Sequence, residues 1–226
     1  MIEFNGISST AYGLVVQDHG RRQRAQEDIK IYEVPNRNGS YREHTGFYKA
    51  YERPMSFHLM DMTKKDEIFA WLKGYGVLRT TVDPNHFFRA SIVSDLNVED
   101  DDGLEQFEVT MEIDPPFAYI ESGAIPISLT VPGTINNPGT KTSDPLIRVI
   151  GSGNITVTIN GRLFSLTGVE TFLDIDPEIT PSVYKNNENV GKKMVGELPY
   201  FDIGNNVISW TGAVTEVSIL PRWRDL

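Results

Sequence analysis

Of the 226 residues in this chain, one stretch alone has the spacing of an amphipathic helix. Ile68, Trp71, Leu72 and Tyr75 recur at intervals of three and four, which puts them on one stripe. Thr63 stands where an N-cap is needed, with Asp66 three residues on in the reciprocal capping position. Asp66 and Glu67 complement the dipole of the first turn, and Gly74 and Gly76 supply the stop. The spacing predicts a helix over 63–75 that covers one face of a sheet. Nearly everything else reads as strands, so the chain must bury its apolar residues between sheets, and the expected class is mainly β.

In the first half the strand signals are Ile29, Val34, the run 55–62, Phe87 to Val93 and Phe107 to Ile113. In the second half the alternation is cleaner. Ile155, Val157 and Ile159 face one way and Thr156, Thr158 and Asn160 the other. Asn160-Gly161 follows at once, a hairpin signal because both turn residues must tolerate positive φ. Residues 172–175, 207–210 and 217–219 continue the series, and short strands with regular turn signals predict a β-sandwich.

Prolines 126, 132, 138 and 145 crowd the segment between the two halves, and proline at that density interrupts ladders and helices alike. The expected domains are therefore 1–122 and 123–226. The first carries 13 basic and 21 acidic residues, a balance of −8; the second carries 8 and 10, a balance of −2.

An acidic chain of net charge −10 repels a phosphate backbone, so sequence-specific nucleic-acid binding is not expected. No apolar run approaches ~20 residues, so no membrane span is expected. The N-terminus lacks the basic flank and apolar run of a secretory signal. There is no cysteine, which removes disulfides, thiolate metal sites and cysteine nucleophiles together.

Signals for chemistry are sparse. His19, His44, His58 and His86 are too far apart in sequence to form a local metal pair, and His58 sits in a strand pattern that suits a structural role. Glu99-Asp100-Asp101-Asp102-Gly103 has consecutive acids instead of the alternating ligands of a calcium loop. It reads as a solvated hairpin tip between Phe87–Val98 and Leu104–Ile113. Gly151-Ser152-Gly153 reads as a tight turn before a strand. Walker, dinucleotide and GxSxG motifs are absent, and no spacing singles out a catalytic triad, so no catalytic residue, cofactor or metal is expected and the chain is read as a non-enzyme.

The segment 36–53 interleaves Tyr41, Phe47, Tyr48 and Tyr51 with Arg37, Arg42, Lys49 and Arg53. Aromatics mixed with arginine are what interface cores favour. The same composition serves single-strand nucleic-acid platforms or an ordinary surface hairpin. Arg37, Tyr41, Arg42, Phe47, Tyr48, Tyr51 and Arg53 are the candidate interface residues.

Several stretches resemble, in order and spacing, the distal tail protein (Dit) family of long-tailed phages and prophages of Gram-positive bacteria. Residues 4–16 resemble its opening strand and turn, and 34–41 its Arg-x-Gly turn, with Asn36 where glycine is common. Residues 108–119 resemble the strand ending in Asp-Pro-Phe that closes its first domain. Residues 137–161, 197–212 and 221–226 resemble its second domain. The resemblance implies an N-terminal tail-tube-like β domain with one α-helix and a C-terminal galectin-like β-sandwich. It implies a structural hub in the baseplate at the distal end of the virion tail, made in the bacterial cytoplasm. Six copies would form a hexameric ring whose channel passes DNA, with a hairpin, here 36–53, clasping the neighbour. Its partners would be the tail tube and tape-measure protein, a tail-associated lysin-type protein and a receptor-binding protein. An acidic first domain would suit a channel wall that must not hold DNA. Two rivals stand beside this reading: a carbohydrate-binding module stacking glycan on Trp210 or Trp223, and a two-carboxylate glycoside hydrolase.

Overall fold

The computed structural model describes residues 1–96, 98–101, 104–178 and 182–226. The fold is mainly β, as the alternation predicts, and the chain divides into two compact units, Met1–Ala118 with Leu226, and Tyr119–Asp225.

In the first unit the strands are β1 (Ile2–Phe4), β2 (Ile7–Ser8), β3 (Leu14–Asp18), β4 (Glu27–Glu33), β5 (Ser40–Tyr48), β6 (Tyr51–Leu59), β7 (Tyr75–Thr80), β8 (His86–Ile92), β9 (Val98–Asp101) and β10 (Leu104–Ile113). The main sheet runs β2-β1-β7-β8-β10-β6-β3, with β9 paired to β10. β10 and β6 form its longest ladder, from Glu105 opposite Leu59 to Ile113 opposite Tyr51. Alternate residues of that ladder, Met55, Phe57, Val109 and Met111, are buried in one core with Phe4, Leu78 and Phe88. The rings of Phe57 and Phe107 stack 5.1 Å apart across the same ladder.

The one α-helix, α1 (Lys65–Trp71), is shorter than the spacing predicts. A 3-10 turn over Met62–Lys64 precedes it, and the capping side chain is Asp61, whose carboxylate accepts from the Thr63 N–H at 3.0 Å and the Thr63 hydroxyl at 2.6 Å. Thr63 is thus the capped residue, not the cap. Ile68, Trp71 and Leu72 enter the core as predicted, and the Trp71 indole N–H donates to Phe4 O at 2.9 Å. Tyr75 lies on a strand and is exposed, because β7 must begin there to pair Tyr75 with Ser91.

In the second unit the strands are β11 (Ala118–Ile120), β12 (Ile127–Leu129), β13 (Gly133–Asn137), β14 (Leu146–Ile159), β15 (Arg162–Val169), β16 (Phe172–Asp176), β17 (Ser182–Lys185), β18 (Glu188–Asn189), β19 (Met194–Gly196), β20 (Gly204–Leu220) and β21 (Arg224–Asp225). Residues 119–122 go with this unit, where the Ile120 N–H donates to Trp223 O at 2.9 Å.

The long strands β14 and β20 organise this unit. The first half of β14 pairs the second half of β20, with β12 and β16 outside them. The second half of β14 pairs the first half of β20, with β13 and β15 outside. Where they cross from one half to the other, the register shifts at Ile150/Gly151 and Ser152/Thr156. Gly151-Ser152-Gly153 is therefore a bulged stretch inside a strand, not a turn before one. Ile147, Val149, Leu173, Val217 and Ile219 of one half share a core with Ile155, Val157, Ile159, Phe164, Leu166 and Ile208 of the other. Asn160-Gly161 makes the expected hairpin turn, with φ of 51° and 82°.

Candidate interface: a free-standing hairpin and its anchor

The residues read from sequence as one arm over 36–53 belong to two different structures. β4 and β5 form a two-stranded sheet of their own, from Glu27 opposite Tyr48 to Glu33 opposite Ser40, and share no ladder with the main sheet. Its turn spans 34–39, with Asn36 at φ 59° and Gly39 at φ 83°. The hairpin is thus 27–48, and its first strand, signalled by Ile29, lies outside the arm read as 36–53. The signal was present in the alternation of Ile29 and Ile31 with Lys30 and Tyr32, followed by Pro35-Asn36.

Arg37, Tyr41, Arg42, Phe47 and Tyr48 are on this hairpin. Arg37 is an exposed turn residue. Tyr41 pairs across the ladder with Tyr32, ring centroids 6.2 Å apart, and the Tyr32 hydroxyl donates to Glu43 at 2.9 Å. That carboxylate bond raises the Tyr32 phenol above its ordinary pKa, since it favours the protonated form. Arg42 stands opposite Ile31. Phe47 is 74% exposed and Tyr41 55%, with Ile31, Tyr32 and Val34 exposed beside them.

Polar contacts tie the strands together near the base. The Lys49 N–H donates to Gln26 O at 2.9 Å, the Lys49 ammonium lies 3.2 Å from Asp28, and the Thr45 hydroxyl donates to Asp28 O at 2.6 Å. Tyr48 packs edge-on against Phe117 at 5.9 Å. An isolated two-stranded ribbon is marginal in water, and this one exposes Phe47, Tyr41, Ile31, Tyr32 and Val34.

Tyr51 and Arg53 belong to the main sheet. Tyr51 begins β6 opposite Ile113, packs against the core, and burial pushes its phenol pKa up. Arg53 is 0% exposed and offers a partner no surface. Its guanidinium pairs with Asp83 at 2.7 Å, donates to His19 O at 2.9 Å and Gly20 O at 3.3 Å, and lies 5.0 Å over the Phe88 ring. It clamps the loop after β3 to the sheet, a role that composition could not separate from an interface arginine.

The remaining sequence candidates are placed as follows. Trp223 is 3% exposed against Phe201, so it cannot stack on a glycan; Trp210 packs against the core of the second unit. His58 lies on β6 in contact with Gln17. His44 pairs with Glu27 at 3.0 Å, and His19 lies 3.0 Å from the N-terminal amine. Glu99–Asp101 lie on β9 in a ladder with β10, so the acids are strand residues there; Asp102 and Gly103 lie outside the described residues. No helix among the described residues is long and apolar enough to cross a membrane.

No family model and no curated protein sequence matches this chain. Among solved structures it is similar to the crystal structure of SPP1 Dit (gp 19.1), described as a paradigm of the hub adsorption apparatus in Gram-positive infecting phages. The identity is 12%, the TM-score is 0.71, and the match covers 96% of this chain and 97% of that one. At that identity the likeness speaks of backbone architecture, and the conclusion is that this chain shares the fold of SPP1 Dit over nearly its whole length.

Proposed function

We propose that this protein is a structural hub at the distal tip of a phage tail. One observation carries the reading: a fold shared with SPP1 Dit across 96% of one chain and 97% of the other. Its work is assembly, and no bond-breaking step is assigned to it. In this reading six copies close into a ring around a channel that passes DNA. The ring joins the tail tube and tape-measure end to tail-associated and receptor-binding proteins, and the second unit acts as a galectin-like docking domain.

The hairpin 27–48 supports the ring. It is long, apart from the main sheet, and exposes Phe47, Tyr41, Ile31 and Tyr32 with Arg37 and Arg42 among them. Laid on a neighbouring copy, it would bury that surface and gain the packing a lone ribbon lacks. The −8 balance of residues 1–122 suits a channel wall that repels DNA. Negative-stain electron microscopy of the purified full-length chain tests this. Six-fold rings with a central hole are expected; particles that stay monomeric at the highest soluble concentration overturn it.

A further inference from the structure

Asn-Gly occurs three times in the chain, at Asn5-Gly6, Asn38-Gly39 and Asn160-Gly161. The dipeptide has a chemistry of its own. Glycine has no side chain to keep its backbone nitrogen away from the carboxamide of the asparagine before it. Whether that nitrogen reaches the carboxamide depends on what holds the asparagine, and the three sites differ in this.

Two of them are held. Asn160 donates from Nδ2 to Asp202 at 2.7 Å and to Asn206 at 2.8 Å, and its Oδ1 accepts from the Val207 N–H at 2.8 Å. Asn5 Oδ1 accepts from the Val77 N–H at 2.9 Å, and its carboxamide lies against Gly76, where an added Cβ would collide with it. Their backbones are tied as well, the Asn5 N–H to Val77 O at 2.9 Å and the Asn160 N–H to Val207 O at 3.0 Å. Each dipeptide is a two-residue hairpin turn with positive φ at both positions, 52° and 79° at Asn5-Gly6 and 51° and 82° at Asn160-Gly161.

Asn38-Gly39 is built differently. It lies in the longer turn at the tip of the β4–β5 hairpin, and Asn38 is exposed. Gly39 has φ 83°, whereas Asn38 is outside the left-handed region. Among the described residues neither the Asn38 carboxamide nor the Gly39 N–H has a hydrogen-bond partner. A Cβ added at Gly39 would meet nothing within 4 Å, so the space around its nitrogen is open.

We propose that Asn38 is a site of spontaneous deamidation through a cyclic imide. The Gly39 nitrogen gives up its proton to solvent hydroxide and attacks Asn38 Cγ. A C–N bond closes the ring, the Cγ–Nδ2 bond breaks, and Nδ2 leaves as ammonia. Water then opens the imide. Opening at Cγ leaves aspartate; opening at the Asn38 backbone carbonyl leaves isoaspartate, with the main chain running through Cβ and Cγ. The net change consumes water and releases ammonia, and no oxidant, reductant or enzyme takes part. Asn5 and Asn160 must first open locally, so only their small open fraction reacts. Conversion at Asn38 adds a negative charge to the hairpin tip beside Arg37. The site rests on the geometry of the three turns and not on the assembly role.

Incubation of the full-length chain in mildly alkaline buffer, beside the same chain unfolded in urea, tests the site by mass-spectrometric peptide mapping. In the folded chain Asn38 should convert at a rate within about threefold of its own rate in urea, while Asn5 and Asn160 should each fall about tenfold or more below theirs. The Asn38 product should contain both aspartate and isoaspartate. Asn38→Gln, unstrained at this exposed position, should abolish the mass gain in its peptide, because the longer side chain closes the ring far more slowly. Folded-state protection of Asn38 equal to that of the other two overturns the proposal. So does conversion of all three at their urea rates, since the fold would then select none of them. Aspartate without isoaspartate overturns the imide route, and a mass gain that persists in Asn38→Gln places the reaction at another residue.

Discussion

Arg222 holds Asp176 with two hydrogen bonds, 2.7 Å from Nη1 and 3.0 Å from Nη2, and both side chains are buried. Arg222 Nε lies 3.2 Å from Glu178, whose other oxygen accepts from the Tyr119 hydroxyl at 2.7 Å. Two residues on, Arg224 pairs with Asp144 at 2.7 Å and donates to Thr142 O. With Trp223 in the core between them, the final residues of the second unit are a structural strap.

Arg222→Ala would leave Asp176 and Glu178 buried side by side without their cation. Removing one partner of a buried pair costs about 3–5 kcal/mol. Urea denaturation of the variant should show a loss of that size; a loss below about 1 kcal/mol would show the carboxylates to be hydrated or protonated at little cost.

Phe47→Ser and Tyr41→Ser should leave the stability of the single subunit within about 0.5 kcal/mol of the parent, because both side chains stand in solvent. Both should weaken self-association in sedimentation. Tyr51→Ser is expected to do the reverse, destabilising the subunit by opening the edge of the core at the start of β6. Equal effects of all three on folding would mean the hairpin is packed within its own subunit.

Gly212→Ala should be costly. Gly212 has φ near 100°, and a Cβ there would lie 2.5 Å from Asn154 O, at the bulge where β14 and β20 pass from one half of the unit to the other. Backbone strain and the clash together predict a loss of about 2–3 kcal/mol in thermal unfolding. An unchanged midpoint would mean the bulge relaxes freely.

Asp202 predicts an acid-side effect. The Asn160 amide, donating at 2.7 Å, and then Arg162 hold its carboxyl below the ordinary 3.8, while burial opposes them. The folded chain therefore binds this proton less readily than the unfolded chain. The stability so contributed is complete above about pH 4 and drains away as pH falls through the lowered value. The site is partly exposed, so its share is about 0.5 kcal/mol. Asp202→Asn should show a shallower loss of stability between about pH 4 and 2; an identical acid limb would mean Asp202 is unpaired in solution.

Trp71→Phe keeps the ring in the core but removes the indole donor from Phe4 O. A buried carbonyl left unpaired costs about 1–3 kcal/mol. A variant as stable as the parent would mean that carbonyl finds another partner.

Local patterns were legible in the amino-acid sequence because they depend on neighbours a few residues away. The stripe of Ile68, Trp71 and Leu72, the inward set Ile155, Val157 and Ile159, and the Asn160-Gly161 turn are all where spacing places them. The placement of the candidate arm residues was only half legible. Aromatics among arginines marked 36–53, but composition could not tell that Phe47 faces water while Arg53 lies wholly inside.

The sequence by itself determined that this is a mainly β chain with one helix, since periodicity reports which side of each segment is apolar. The tertiary structure decided which strands pair, that β4–β5 stands apart from the main sheet, that two long strands bend through a bulge instead of stopping at a turn, and that Trp223 is core. Those outcomes depend on partners dozens of residues away, such as Asp83 for Arg53 and Asp176 for Arg222, and short-range spacing carries no information about such pairings.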